Sequence, residues 1–311
     1  MSGLFNFCPG GKDSFVSQNF KKMSNEILVL GGTGKTGKRI ASRLQKLNLP
    51  LRIGSRNSEH KFDWNDSGTW SSALTGVEKV YISFQPDLAV PGALNCIEQF
   101  VKLAQSSAVK KLVLLSGRGE KEAELCEQVV INSGIDYSIV RASWFMQNFS
   151  EGFFLDSILA GHVALPATNT LEPFVDVEDI ADVATAALTS HAHRNKIYEL
   201  TGPRLMSFEA AVKEISLAVN RTITYQEVSM QEYISMLKTY EVPDDAIWLI
   251  QYLFTEVLDG RNESLTNGVE DALGRRPGDF SEYTKAVVQS GIWSSQQPEM
   301  YKMDSTQLAA T

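Results

Sequence analysis

Residues 27–37 read Ile-Leu-Val-Leu-Gly-Gly-Thr-Gly-Lys-Thr-Gly, and this stretch decides the fold. The apolar run at residues 27–30 predicts a short buried strand, and apolar residues at helical spacing over residues 35–47 predict the helix that follows. Three glycines at intervals of three separate the two elements, namely Gly31, Gly34 and Gly37. A glycine-rich turn between a strand and a helix is typical of the first βα unit of a dinucleotide-binding fold.

Each glycine of this loop has a physical use. The first permits a tight turn, the second lets the backbone approach a pyrophosphate, and the third lets the helix pack closely against the strand. The N–H groups and the dipole at the start of the helix then face the phosphates. The loop therefore predicts a dinucleotide site that includes Gly31, Thr33, Gly34, Lys35, Thr36 and Gly37.

The order Gly34-Lys35-Thr36 also ends like the phosphate-binding loop of nucleoside triphosphatases. That motif requires another glycine five positions before Gly34, and the residue there is Val29, inside the predicted strand. The sequence therefore argues against a triphosphatase.

Short apolar runs and helical stretches alternate from residue 27 to residue 141, which predicts βαβ units and a parallel sheet covered on both faces. We predict a Rossmann α/β fold with a doubly wound parallel sheet. Beyond Arg141 we expect a helix over Phe145–Leu159, an extended segment at Pro173–Asp176, a helix over Glu178–Leu188 and a strand at Lys196–Leu200. From Ser207 onward the chain is predicted to be mostly helical.

The domain organisation follows from this pattern. Residues 1–22 are rich in Gly, Ser and Lys and are predicted to be a flexible extension. Residues 23–150 are assigned to the dinucleotide-binding domain. Residues 151–311 are assigned to a smaller, mostly helical substrate-binding part that is interleaved with the end of the sheet.

Composition excludes several classes of function. The net charge is -8 with no long basic run, which argues against a nucleic-acid-binding protein. No apolar run is long enough to predict a membrane-spanning helix. The odd count of 3 cysteines suits a reducing compartment, so a cytoplasmic location is expected. The spacing of Cys and His residues predicts no metal site.

The end of the second predicted strand distinguishes NAD from NADP. A carboxylate there would hold the ribose hydroxyls of NAD, but this chain has Ser55-Arg56. The planar guanidinium of Arg56 suits a 2′-phosphate, and Lys35 adds a second positive charge. The pattern favours NADP, with NADPH preferred over NADH. The alternative is that Arg56 is only a solvated loop residue.

Several further segments resemble the NmrA-like atypical short-chain dehydrogenases. They are the glycine loop, Ser55-Arg56, Phe62-Asp63-Trp64, Leu115-Ser116 and the run Ser133–Tyr137. Phe62-Asp63-Trp64 followed by Thr69-Trp70, and the run Arg141–Asn148, are similar to the festuclavine-dehydrogenase-like branch, named after ergot alkaloid biosynthesis. The resemblance covers about Glu26 to Ile180 and fades in the C-terminal part.

The resemblance implies roles for particular residues. It implies that Asp63, beside Trp64, binds the adenine amino group and that Ser83, Phe84 and Gln85 border the cofactor ribose. It also implies that the stretch from Ser143 to Asn148 lies near the nicotinamide, so Ser143, Trp144, Phe145 and Asn148 are candidate substrate contacts. The alternatives are that Asp63 is merely exposed and that Trp144-Phe145-Met146 is simply core.

Typical short-chain dehydrogenases use a Tyr-x-x-x-Lys pair to pass a proton to the product. Here Tyr137 is followed four residues later by Arg141, and the helix predicted over Glu120–Asn132 contains no tyrosine. Related reductases carry a lysine or a histidine on this helix, whereas the matching residue is Ala123. Ser116 is the candidate hydroxyl near the nicotinamide that could orient a substrate or a water molecule. The alternative is that Ser116 is an ordinary serine at the end of a strand.

Without a proton donor, the acceptor must already be electrophilic. An iminium gives a neutral amine on hydride addition, and a quinone gives an acidic hydroquinone, so we expect an NADPH-dependent reductase of iminium, quinone-like or other conjugated small molecules. Trp248 and Tyr252, four residues apart on a predicted helix, are expected to share a face and close the pocket. The alternative is a non-catalytic NADP sensor that binds a regulatory partner. A homodimer is a further alternative that the sequence leaves open.

Overall fold

The computed structural model describes residues 26–167 and 170–294. The extension predicted at residues 1–22 lies outside these described residues. In the part that is described, no helix is long and apolar enough to cross a membrane.

The core of the molecule is a seven-stranded sheet in which every strand pair is parallel. Its order is β3-β2-β1-β4-β5-β6-β8. The strands are β1 (Glu26–Leu30), β2 (Leu51–Ser55), β3 (His60–Lys61), β4 (Val77–Ile82), β5 (Lys111–Gly117), β6 (Asp136–Ala142) and β8 (Lys196–Leu200). The strand order reverses between β1 and β4, so the chain leaves these two strands on opposite sides of a crevice. This arrangement confirms the predicted doubly wound Rossmann fold.

Eleven α-helices lie in the part of the chain that the structure describes, and some of them cover both faces of the sheet. They are α1 (Lys35–Lys46), α2 (Trp70–Leu74), α3 (Ala93–Ser106), α4 (Lys121–Ile131), α5 (Leu155–Ala160), α6 (Val177–Thr189), α7 (Phe208–Ala218), α8 (Met230–Thr239), α9 (Asp244–Tyr252), α10 (Gly268–Leu273) and α11 (Phe280–Ser290). The core on one face includes side chains of α2, α3 and α4, and the core on the other face includes side chains of α1, α6 and α10. Strands β1 and β4 contribute buried side chains to both faces, which explains their continuous apolar runs.

A third apolar core lies beyond the sheet and contains many aromatic rings. It joins residues from Met146 to Trp293, including Phe149, Phe154 and Phe208, each buried. Helix α9 runs directly into a π-helical turn at Leu253–Val257. Such turns are rare and occur often at functional sites.

Three local predictions were wrong. The single helix expected over Phe145–Leu159 is instead a 3₁₀ turn at Met146–Phe149 followed by α5, because the chain bends to bury Phe149 and Phe154 in the third core. The sequence also predicts a short third strand at residues 61–64, but β3 ends at Lys61, and Phe62 leaves the sheet edge to pack among aromatic rings. The helical C-terminal part also contains a small parallel sheet that was not predicted, formed by β7 (His162–Leu165) and β9 (Thr224–Glu227).

Candidate active site

The glycine loop makes a tight turn at the carboxyl end of β1. Gly31 has a φ of +65°, and its carbonyl accepts a 2.9 Å hydrogen bond from the N–H of Gly34. A Cβ on Gly37 would lie 2.1 Å from the Gly31 oxygen, so no side chain fits there. Helix α1 therefore starts close against the turn, and its N-terminus faces the crevice between β1 and β4.

A cavity of about 440 Å³ occupies this crevice. Its walls include Gly31, Thr33, Ser55, Arg56, Asp63, Trp64, Ser83 and Gln85, all of which the sequence assigned to the cofactor. Helix α9 and its start complete the wall with Pro243, Asp245, Ala246 and Leu249. The structure thus gathers most of the predicted cofactor residues around one cleft at the reversal point of the sheet.

The wall of this cleft at the end of β2 carries a positive charge. Arg56 is exposed at the cavity wall and forms no ion pair within residues 26–167 and 170–294. Beside it, the buried Ser55 hydroxyl oxygen has no hydrogen-bond partner in the same described chain. The Arg56 guanidinium and the Ser55 hydroxyl could both bind a phosphate. They lie next to a glycine turn whose space a Cβ would fill, so this part of the cleft fits a dinucleotide phosphate.

Two tryptophans fix the Asp63 segment. The indole N–H of Trp70 donates to the Asp63 carbonyl at 2.8 Å, and that of Trp64 donates to the Ser83 carbonyl at 3.1 Å. Trp64 itself is buried against Phe62 and Phe84. The half-buried Asp63 side chain is therefore held at the cavity wall, a position suited to an adenine amino group, rather than on the open surface.

Lys35, Thr36 and Gly37 line neither of the two cavities described here. The Lys35 ammonium is buried and donates to Asn148 Oδ1 at 3.0 Å, and burial lowers its pKa to about 8. The Thr36 hydroxyl accepts a 2.9 Å hydrogen bond from Tyr81. The structure thus differs from the expectation that Lys35 adds its charge beside Arg56, because its side chain turns toward the 3₁₀ turn at Met146–Phe149.

A second, small cavity of about 40 Å³ lies at the carboxyl ends of β5 and β6. Four residues predicted for the nicotinamide and substrate end line it, namely Ser116, Ser143, Trp144 and Phe145, together with Phe84, which was predicted to border the ribose. Leu253 and Val257 of the π-helical turn cover it. Asn148 lies outside its wall, bonded to Lys35.

The Trp144-Phe145-Met146 cluster divides between wall and core. Trp144 stacks on Phe154 at 6.3 Å between ring centroids and lines the small cavity with one side. Met146 is 1 % exposed and belongs entirely to the third core. Phe145 is buried and also reaches the cavity wall.

Trp248 and Tyr252 do share a helix face, but neither residue lines either cavity. Their rings stack at 5.6 Å with an interplanar angle of 12°, and Trp248 is 41 % exposed. Leu249 of α9 lines the cofactor cleft, and Leu253 of the π-helical turn lines the small cavity. The expected substrate contacts of Trp248 and Tyr252 therefore do not match this geometry.

Comparisons with known proteins identify the family, although no family model matches the chain. The chain is 31 % identical over 275 residues to agroclavine dehydrogenase of Claviceps fusiformis, a match that covers 83 % of this chain and 95 % of that protein. It is 30 % identical to festuclavine synthase I of Penicillium roqueforti, covering 86 % and 99 %. The chain belongs to the festuclavine-dehydrogenase-like branch of the NmrA-like short-chain dehydrogenases. It is therefore an oxidoreductase.

Solved structures agree with the fold of this oxidoreductase. An NADPH-dependent quinone oxidoreductase of Escherichia coli, solved with NADPH, superimposes with a TM-score of 0.69 at 21 % identity, covering 84 % of this chain and 99 % of that one. Triphenylmethane reductase of Citrobacter sp., solved with NADP(H), gives 0.67 at 18 % identity, covering 85 % and 99 %. Both superpositions show that this chain shares the fold of these two proteins.

Helix α4 of this oxidoreductase contains no tyrosine. Ala123 is fully buried, and Tyr137 lies near the start of β6, at the opposite end of that strand from the small cavity. The Ser116 hydroxyl donates to Glu127 at 2.6 Å. Arg141 binds the same carboxylate at 2.6 Å, so the hydroxyl is held by a buried ion pair.

Sequence reasoning missed three buried carboxyl groups near the small cavity. Asp87 and Glu120 line it, and burial raises the pKa of Glu120 well above its ordinary value, with the adjacent Asp87 charge adding to the effect. Glu172 accepts a hydrogen bond from the Trp144 N–H, and burial raises its pKa to about 7. One feature of the sequence could have indicated the first two groups. Asp87 follows the end of β4 and Glu120 follows the end of β5, each within a few positions. Among the described residues, no group of His, Cys, Asp or Glu is placed to hold a metal ion.

Proposed function

We propose that this oxidoreductase uses NADPH to reduce an iminium, quinone-like or other conjugated small molecule, without a Tyr-Lys pair. The observation that carries the proposal is the presence of two cavities at the carboxyl ends of the parallel strands. One is lined by the glycine loop and Arg56, and the other by Phe84, Ser116 and Trp144. A dinucleotide that lies along these carboxyl ends would reach the small cavity.

The proposed preference for NADPH rests on Arg56. The end of β2 offers a guanidinium and the Ser55 hydroxyl where an NAD enzyme would present a carboxylate. Asp63 would take the adenine amino group, and the loop N–H groups would take the pyrophosphate. When bound there, NADPH supplies a hydride from its nicotinamide ring.

The residues of the small cavity would position the acceptor and exclude water. Trp144, Leu253 and Val257 supply an apolar wall, which favours a flat conjugated ring system. The Ser116 hydroxyl already donates to Glu127, so its remaining role is to accept a hydrogen bond and orient the acceptor or a water molecule. Catalysis then relies mainly on holding the acceptor in the geometry needed for hydride transfer.

The first test is a titration of the purified protein with NADPH and with NADH, followed by nicotinamide fluorescence. We expect tighter binding of NADPH. The NADPH complex is then mixed with an iminium, a quinone, an α,β-unsaturated ketone and a cationic triphenylmethane dye while NADPH absorbance is recorded. Turnover of none of these acceptors would overturn the proposed reductase function.

A second candidate is a non-catalytic NADP(H) sensor that binds a partner protein. The specific observation in its favour is the size of the small cavity, because about 40 Å³ cannot hold a ring-sized substrate in this conformation. The exposed Trp248–Tyr252 stack would then be available to a partner. A copurifying protein whose affinity depends on NADP versus NADPH would support the sensor. For either function we propose a cytoplasmic location, given the odd cysteine count.

A further inference from the structure

Two acidic side chains meet in the wall of the small cavity. Asp87 belongs to the loop after β4, and Glu120 belongs to the loop after β5, so neighbouring strands bring them together. Asp87 is 7 % exposed and Glu120 is 6 % exposed. Gly117 makes room for the pair, because a Cβ at this position would lie 2.0 Å from Glu120 Oε1.

The hydrogen bonding of Glu120 indicates that it carries a proton. No N–H or O–H donor within the described ranges, 26–167 and 170–294, reaches the buried Glu120 Oε2. The Glu120 and Asp87 carboxyl groups lie together in the cavity wall, and two such groups, which otherwise only accept, can share a hydrogen bond only when a proton lies between them. Burial and the neighbouring negative charge both favour the protonated form.

The groups around the pair add negative charge and supply no free cation. Those facing it are Glu122, Cys126 and Glu127 from α4, Tyr252 from α9, and Arg118 in the cavity wall. The Arg118 guanidinium is already bound by Glu199 at 2.6 Å and by the carbonyls of Asn262 and Ser264. Tyr252 donates its hydroxyl to Glu122, and burial raises the pKa of Tyr252. The Tyr252 phenol is therefore not a competing proton source at neutral pH.

We propose that Glu120 is the proton donor to the reduced acceptor and that Asp87 is the positioning residue that keeps the proton on Glu120. This inference rests on the proposed reductase function. Reduction of an α,β-unsaturated ketone by a hydride from bound NADPH, which would lose a C–H bond of its nicotinamide ring and become NADP⁺, would form one C–H bond at the β-carbon and move the π electrons onto oxygen, leaving an enolate. The Glu120 O–H bond then breaks, its proton passes to the enolate, and the carboxylate regains a proton from solvent through Asp87. A cationic dye becomes neutral on reduction and needs no proton.

The decisive experiment compares these two acceptors in one protein. We expect Glu120→Gln to lower kcat for an α,β-unsaturated ketone about 100-fold, the usual scale of general acid catalysis, and to leave kcat for a cationic triphenylmethane dye within about twofold. The matched control is Glu124→Gln, which removes an exposed carboxylate from α4, the helix that follows Glu120, and is expected to change neither rate. Equal loss with both acceptors, or no loss with the ketone, would overturn the donor role.

The dependence on pH gives a second readout. Turnover of the ketone by the wild type should fall as the pH rises through the pKa of Glu120, whereas turnover of the dye should not follow this profile. Asp87→Asn removes a neighbouring negative charge and keeps the Oδ1 acceptor for the Ala89 N–H, so it should move the fall to lower pH. An unchanged profile in Asp87→Asn would overturn the positioning role.

An infrared measurement tests the proton without any turnover. The ligand-free wild type at pH 7 should show buried protonated carboxyl absorption that shifts in D₂O and loses intensity in Glu120→Gln, while the contribution of Glu172, whose pKa burial raises to about 7, stays in both proteins. Unchanged absorption in Glu120→Gln would overturn the assignment. If the wild type reduces neither acceptor, the reductase function fails and the donor role with it. If it reduces both but Glu120→Gln matches the wild type, only the donor role fails.

Discussion

Ser116 Oγ donates a 2.6 Å hydrogen bond to Glu127 Oε1, and this carboxylate is fully buried. Arg141 binds both oxygens of the same carboxylate from β6, with distances of 2.6 to 3.0 Å. Ser116, on β5, is therefore locked by a charge pair that joins α4 to the sheet. The hydroxyl predicted from the sequence as a catalytic candidate is bound to a structural ion pair, and this limits the chemistry it can perform.

The ion pair leads to the first prediction, which concerns stability. Glu127→Gln should lower the free energy of unfolding by about 3 kcal/mol, because it leaves the Arg141 charge without its buried partner. Urea denaturation at pH 7 measures this change. Glu124→Gln, an exposed change on the same helix, should cost less than about 0.5 kcal/mol. Equal effects of the two variants would show that the buried pair adds nothing.

The second prediction concerns the glycine loop. Gly37→Ala should weaken NADPH binding at least 10-fold and also lower the melting temperature, because its Cβ would collide with the Gly31 carbonyl at 2.1 Å and push α1 away from the turn. Nicotinamide fluorescence measures the affinity. The control is Gly68→Ala, where the new Cβ would meet only the movable Asp66 carboxylate at 3.1 Å. Unchanged affinity in Gly37→Ala would contradict the placement of the cofactor on this loop.

The third prediction concerns the choice between NADPH and NADH. Arg56→Glu should weaken NADPH binding about 100-fold and change NADH binding by less than about threefold, because only the 2′-phosphate would meet the reversed charge. Titration with both cofactors measures the ratio. Arg276→Glu makes the same change at an exposed site outside both cavity walls and should leave the ratio intact. A parallel loss of both affinities in Arg56→Glu would argue against phosphate recognition.

The parallel sheet and the glycine turn were predictable because they depend on local patterns. The run Ile27–Leu30 is buried on both faces, and the spacing of Gly31, Gly34 and Gly37 reflects contacts within a few residues. The direction of a side chain at a helix start was not predictable. Lys35 turns toward Asn148, a partner more than a hundred residues away whose position depends on the third core.

The substrate end was harder to predict than the cofactor end. The four-residue spacing of Trp248 and Tyr252 correctly placed both rings on one face of α9, but periodicity alone does not say which face meets the sheet. The Asp87–Glu120 pair depends on two loops that follow different strands, and a carboxylate after a strand usually indicates only a polar loop. Such pairs become visible only when the strand order is known.

The fourth prediction concerns stability in acid. Glu151 contacts Arg39 and Lys38 of α1 at 2.5 and 2.6 Å. Burial opposes ionisation of Glu151, but hydrogen bonds from Arg39 and Lys38 outweigh it and lower the pKa from 4.5 to about 2. The carboxylate therefore stabilises the fold above pH 4.5, and this contribution is lost as the pH falls toward 2.

Glu151→Gln tests this contribution directly. It should lower the free energy of unfolding by about 2 kcal/mol at pH 7, and the difference from the wild type should shrink below pH 4.5. Urea titrations across this pH range provide the measurement. Glu209→Gln, which changes an exposed carboxylate on α7, should give curves parallel to the wild type. A difference that stays constant with pH would indicate lost packing instead of a lost charge.

The last prediction concerns access to the small cavity. Leu253 is 6 % exposed, packs against Leu249 and Val257, and covers the cavity from the π-helical turn. A cavity of about 40 Å³ holds only a few water molecules, so a ring-sized acceptor requires this turn to move outward. Leu253→Ala removes the cover without touching the cofactor cleft. It should lower the KM for bulky acceptors several-fold, leave NADPH affinity unchanged, and reduce the free energy of unfolding by about 2 to 3 kcal/mol.

Steady-state kinetics with a small and a bulky acceptor measure the effect on access. The control is Leu217→Ala on α7, where the same truncation removes a side chain that is 73 % exposed and should change neither KM nor stability measurably. If Leu253→Ala alters KM equally for both acceptors, the turn does not restrict entry by size. A KM that rises for the bulky acceptor would mean that Leu253 binds this acceptor directly, because removing the side chain would then remove a substrate contact. If Leu253 only blocks entry, its removal opens the cavity and the KM falls.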